Sequence, residues 1–229
     1  FRRNLQSVAL ANIAAQLILV AAAPLLTRIY APDDFGGFGV FSALMGIALA
    51  FATGWFEWLI PNPRSAGRAA ALFCLGCILL TFSAVLASGS VLLLADDLPG
   101  DELATVQPYL WLFPLILLAS GAQQLLLAWH IRQADLRRMS WLRMAQVGVN
   151  VGVSLSLGWW GGHLYGPLGL LAGMGLGAFV SAVGLAWREP LLASALGRVT
   201  WPKLLASWRR YRRQAGWSSL ATTLSSVST

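Results

Sequence analysis

Long apolar runs, each closed by a charge or a cluster of charges, set the rhythm of this sequence. Uncharged stretches cover residues 4–27, 35–56, 69–95, 103–131, 144–187 and 214–229. A helix that crosses a bilayer needs about 20 apolar residues, so each of the first four stretches predicts one span. The fifth has 44 residues, too many for one helix, and is interrupted by Gly161-Gly162-His163-Leu164-Tyr165-Gly166-Pro167. Such a cluster punctuates helices and predicts two spans joined by a tight turn. The last stretch predicts the start of a seventh. The expected fold is all-α, a polytopic transmembrane helix bundle of six spans plus the start of a seventh. Residues 1–187 form the six-helix lobe, 188–213 a basic amphipathic linker, and 214–229 the truncated start of the seventh helix.

Composition agrees with this pattern. Of 229 residues, 57% are hydrophobic and 11% charged, against about 25% charged in an ordinary soluble domain. That excludes a disordered chain and leaves too few charges to cover a water-soluble surface. The net charge of +7 would suggest an acidic partner in a soluble protein. Here topology accounts for it: with the N-terminus inside, 15 of the 16 Lys and Arg fall in segments expected to be cytoplasmic, Arg28 being the exception. Lys and Arg favour the cytoplasmic side of short loops. Six of the nine acids, Asp33, Asp34, Asp96, Asp97, Asp101 and Glu102, fall opposite. Nucleic-acid binding loses its support, and no aromatic-basic module is visible. Trp129, Trp141, Trp159, Trp160, Trp187 and Trp217 fall at expected span ends, where half-wet rings are favoured. A first residue of Phe1 and a last run broken off at Thr229 suggest a fragment of a longer protein.

No catalytic or metal constellation stands out, so the chain is not expected to be an enzyme and no cofactor is implied. Cys74 and Cys77 lie at helical spacing, while His130 and His163 fall on opposite sides of the expected membrane and read as interfacial. A structural metal site normally requires four ligands together. The spans do carry uncharged polar residues at helical spacing. Asn12, Gln16, Ala23 and Thr27 share a face; Ser120, Gln123 and Gln124 share another; Gln146, Asn150 and Ser154 recur every four residues. Polar groups avoid hydrocarbon, so such faces either join helices by hydrogen bonds or line a hydrated cavity. Three faces together favour the cavity. Glycines around 169–177, followed by Ser181, give one helix a side-chain-poor face suited to close packing. Glu57 reads as the only carboxylate inside an expected span, four residues before Pro61, with anchoring and function both open. Arg28 either snorkels or meets an anionic group of a substrate. The substrate-cavity candidates are Asn12, Gln16, Thr27, Arg28, Glu57, Gln124, Gln146 and Asn150.

Pro24-Leu25-Leu26-Thr27-Arg28-Ile29-Tyr30-Ala31-Pro32-Asp33-Asp34-Phe35-Gly36 resembles the N-terminal signature of the polysaccharide-exporter branch of the multidrug, oligosaccharidyl-lipid and polysaccharide exporter superfamily, in particular its O-antigen flippases. Glu57-Trp58-Leu59-Ile60-Pro61 is similar to the end of that family's second helix, and Arg209-Arg210-Tyr211-Arg212-Arg213 followed by Trp217-Ser218-Ser219 to the join between its lobes. Where relatives often carry Arg, this chain has Trp55-Phe56. The resemblance implies the N-terminal lobe of a two-lobe transporter in the bacterial cytoplasmic (inner) membrane. It would flip a polyprenyl-pyrophosphate-linked oligosaccharide by alternating access, in surface polysaccharide biosynthesis such as that of the lipopolysaccharide O-antigen. Its partners would be that lipid-linked substrate, the membrane lipids and a C-terminal lobe of the same chain. An ion-coupled exporter of small molecules with the same fold, or an integral-membrane glycan polymerase or ligase, are the alternatives.

Overall fold

A computed structural model of the chain describes residues 2–63, 65–94, 106–161, 166–187, 189–197, 199, 201, 204–205 and 207–209. Among the described residues every regular element is a helix. In chain order they are α1 (Arg2–Ile29), α2 (Pro32–Ala52), the one-turn α3 (Phe56–Leu59), α4 (Ala66–Leu94), α5 (Leu112–Gln133), α6 (Leu136–Gly161), α7 (Leu168–Ala186) and α8 (Pro190–Leu196), with a 3₁₀ turn at Gln107–Tyr109 before α5.

Five of these, α1, α2, α4, α5 and α7, are long and apolar enough to cross a membrane. The sixth long helix, α6, has 26 residues but carries Arg137, Arg138 and Arg143 in its first half and Gln146, Asn150 and Ser154 after them. The expected break in the 144–187 stretch is present: α6 ends at Gly161, and α7 starts at Leu168, after Gly166 with φ +45° and Pro167. The expected start of a seventh span, 214–229, lies outside the described residues.

Local chemistry explains where the helices turn. α1 stops at Ile29, and Pro32 opens α2 with its fixed φ and no N–H to satisfy. Asp34 then accepts the Ala31 N–H at 3.0 Å, tying down one of the orphan donors of a helix start. The buried Tyr30 hydroxyl donates to the Ser154 carbonyl at 2.6 Å, pinning this corner to α6. Burial, and next the charge of Asp34, push the Tyr30 hydroxyl up to about 12. At the other end of α2, Gly54 (φ +56°) and Trp55 (φ +62°) adopt left-handed backbone and separate α2 from α3. Glu57 therefore lies in a short helix beyond the span, instead of inside it as the sequence pattern had indicated.

Packing runs α1 on α6, α6 on α7, α7 on α5 and α5 on α4, with α2 against α4 and α5. In lipid no hydrophobic force draws helices together, so close steric fit and interhelical hydrogen bonds carry the association. The α6–α7 contact is the most extensive, and the glycine face explains it. A Cβ at position 173 would come within 2.6 Å of the Asn150 carbonyl oxygen, and one at 177 within 2.8 Å of the Gln146 carbonyl oxygen. Phe41 of α2 meets Phe113 of α5 edge-on at 5.3 Å. Leu10, Ile13, Ile47, Phe82, Val85 and Phe179 remain exposed, as lipid-facing residues do.

Linker residues dock on this bundle. α8 buries Leu192 and Ala195 and packs against α4. Trp208 rests near Phe56 of α3 at 6.0 Å. Within the amphipathic linker expected over 188–213, the apolar residues Leu204, Leu205 and Trp208 are described, while Tyr211 is outside the described residues.

Candidate functional site

The polar spacing of α6 places Gln146 against α5 and α7. Gln123 Nε2 donates to Gln146 Oε1 at 2.5 Å and to Ser181 Oγ at 3.1 Å, and Gln146 Nε2 returns a bond to Gln123 Oε1 at 3.3 Å. Three helices are thereby joined by one amide pair and a hydroxyl. Beside it opens a cavity of about 280 Å³ whose polar lining is Asn12 of α1, Gln123 of α5, Ser140, Arg143 and Gln146 of α6, and Ser181 of α7. Leu127, Ile131, Leu136 and Met139 complete it. The cavity offers amide and hydroxyl groups of both hydrogen-bonding senses together with one guanidinium, whose planar fork suits carboxylate or phosphate oxygens.

The candidate residues divide around this cavity. Asn12 and Gln146 line it. Asn150, one turn further along α6, accepts the Ser154 hydroxyl at 3.5 Å, and Ser154 also donates to the Gly169 carbonyl at 3.2 Å. Of these two, Ser154 joins α6 to α7, and both lie outside the cavity lining. Gln16 is exposed on α1, outside the cavity lining. Thr27 is exposed and bonds back to the Pro24 carbonyl at 3.2 Å. Arg28 is exposed in the last turn of α1, where a cation complements the helix dipole. Gln124 is exposed, and its neighbour Gln123 is the one turned inward. Glu57 is half-buried in α3; burial raises its carboxyl above the usual range, with the Thr53 hydroxyl and the Glu57 backbone acting in the opposite sense.

A second polar cluster lies at the corner of α5, α6 and the α7–α8 joint. His130, read from sequence as interfacial, is fully buried. Its Nε2 stands 3.0 Å from Glu189 Oε1, and its Nδ1 lies 2.9 Å from the Leu126 carbonyl oxygen. A carbonyl only accepts, so in the contact with Leu126 it is Nδ1 that donates. Arg138 Nη1 meets the same Glu189 oxygen at 2.9 Å, while Nη2 donates to the Gly184 carbonyl at 2.9 Å and to the Trp187 carbonyl. Gln133 Nε2 reaches Glu189 Oε2 at 3.3 Å. Trp129 also departs from the expected aromatic belt, being 2% exposed, whereas Trp141, Trp159, Trp160 and Trp187 are exposed at helix ends.

Sequence reasoning counted Arg138 and Arg143 among the cytoplasmic loop charges and did not single out Ser140 or Glu189. The signal available was that Ser140, Arg143 and Gln146 lie three apart, the spacing that brings residues to one helix face. Cys74 and Cys77 are free and half-buried in α4, and no group of three or more metal-ligating side chains occurs among the described residues.

The fold and its apolar helices define an all-helical, multi-pass membrane protein. Comparison with protein-family profiles, with curated proteins and with solved structures finds no match to this chain.

Proposed function

We propose that the chain is one lobe of a transporter that carries a polyprenyl-pyrophosphate-linked saccharide across the bacterial cytoplasmic membrane by alternating access. The observation that carries this reading is the cavity between α1, α5, α6 and α7, where the exposed Arg143 shares the lining with three amides and two hydroxyls. A pyrophosphate needs water, donors or a cation to replace its hydration, and Arg143 with Asn12 and Gln146 offers both donors and a cation. About 280 Å³ suits that group and not the sugar chain, which would occupy wider space outside the cavity. Arg28 is 16 residues beyond Asn12 on α1, roughly 24 Å along the helix. In this reading Arg28 receives the anion at the opposite end. The exposed Gln16 and Thr27, which share a face of α1, suit a second lobe across a wet pathway.

In this reading α6 is a sixth span whose polar groups are satisfied by α5 and α7, the N-terminus and the α5–α6 turn are cytoplasmic, and the chain does no covalent chemistry. The test is to delete the native gene and restore it with Arg143→Gln, Arg143→Lys or the wild type at matched membrane levels. Surface polysaccharide is expected to fall at least tenfold with Arg143→Gln, the scale of one charge-assisted hydrogen bond, and to recover partly with Arg143→Lys, which keeps the charge without the fork. Normal surface polysaccharide in the gene deletion, or in Arg143→Gln, would contradict it.

A further inference from the structure

The linker that follows α7 is held on the bundle at several points, all at the end where α5 finishes and α4 and α6 begin. α8 buries Leu192 and Ala195 and packs against α4. Glu189, just ahead of α8, meets His130 and Gln133 of α5 and Arg138 of α6. Trp208 rests near Phe56 of α3. One side of the linker is thereby committed to protein.

The described residues 201, 204–205 and 207–209 are helical. Ser207 is buried and Leu204 half-buried, whereas Trp201, Leu205 and Arg209 are exposed, Trp201 by 74%. These three lie four residues apart, the spacing that puts side chains on one face of a helix. A ring, an aliphatic chain and a cation along one face suit a bilayer surface, where the apolar groups enter the headgroup boundary and the cation meets the headgroups. Trp58 of α3, Trp141 of α6 and Trp187 after α7 are exposed at the same end of the bundle, and Trp is favoured at the headgroup level.

Charge decides what kind of surface fits. Residues 188–213 hold seven Lys and Arg and one acid, Glu189. That acid is engaged by α5 and α6, so the linker's carboxylate is turned to the bundle while its sequence remains strongly basic. A neutral protein surface could cover Trp201 and Leu205 but offers no counterpart to this charge. Anionic headgroups do, and they attract basic segments that lie within a Debye length.

We propose that the linker face of Trp201, Leu205 and Arg209 binds the surface of a leaflet rich in anionic phospholipid, which holds the linker in the headgroup plane. This face is separate from the Arg143 cavity and does not depend on the transport reading.

The test follows amide hydrogen exchange of residues 199–213 in the whole protein, in phosphatidylcholine nanodiscs and in nanodiscs with equal parts phosphatidylglycerol. Exchange is expected to slow when phosphatidylglycerol is present, and the slowing to vanish in about 1 M salt, where the Debye length is about 3 Å. Arg209→Gln is expected to cut the slowing about fivefold, the weight of one cation beside an anionic leaflet, and Trp201→Ser to reduce it as well. Both side chains are exposed, so these variants retain the fold. Equal exchange in the two lipid compositions means that protein covers this face, or nothing does, and overturns the proposal. A slowing that survives salt, or is unchanged in either variant, overturns it too.

Discussion

Single residues in this protein are governed by how completely their polar atoms are met. Glu57 shows the consequence of an incomplete match: its Oε2 is buried with no partner among the described residues, and burial raises its carboxyl. An acid whose folded value is raised binds its proton more tightly in the folded state. Folding is then least penalised below the ordinary value of 4.5, and stability falls as pH rises from there through the folded value. Glu57→Gln is therefore expected to raise the unfolding midpoint in detergent at pH 8 and to leave it unchanged near pH 4. An equal gain at both pH values would show that burial of this charge is not the cause. Gln123 and Gln124 make the same point from the other side. Periodicity put both on one face, yet only Gln123 meets Gln146 and Ser181, because the partner helices arrive from one side of that face.

At the scale of elements, the glycine face of α7 and the polar row of α6 were both legible in the sequence, since each is a repeat of three or four residues along one helix. The turn at Gly166-Pro167 was legible for its backbone chemistry. Which helix would fill the glycine face was not, because that depends on long-range packing. A substitution at 177 probes this contact directly. Gly177→Ala places a Cβ 2.8 Å from the Gln146 carbonyl oxygen, a backbone atom that cannot turn aside, and is expected to destabilise the α6–α7 pair by about 1–3 kcal/mol. Thermal unfolding checks this, with Gly148→Ala as the control, since a Cβ there meets nothing within 4 Å. The Glu189 cluster was illegible for the same physical reason: His130, Gln133 and Arg138 lie 51 to 59 residues away in sequence. Glu189→Ala removes the carboxylate shared by Arg138, His130 and Gln133, and is expected to destabilise this corner by about 1–3 kcal/mol. Limited proteolysis should then cut around α8 sooner than in wild type.

For the whole molecule, the arrangement is a membrane bundle with a polar cavity bounded by α1, α5, α6 and α7 and exposed polar residues on α1. Expectations from charge bias and span length bear on this scale, and the five apolar helices agree with the multi-pass part of them. Arg143 was the hidden participant, because a cation close to a helix start looks in sequence like a loop charge. It lines the same cavity as Gln123 and Gln146, and the proposed passage of an anion rests on that placement. The most direct measurement is leaflet-resolved flipping: the whole protein is reconstituted into vesicles carrying a polyprenyl-pyrophosphate-linked saccharide, and the fraction of saccharide reaching the outer leaflet is followed with an impermeant enzyme or lectin. The account predicts protein-dependent transfer that slows at least tenfold in Arg143→Gln and recovers partly in Arg143→Lys. Transfer no faster than in protein-free vesicles, or equally fast in Arg143→Gln, would contradict it.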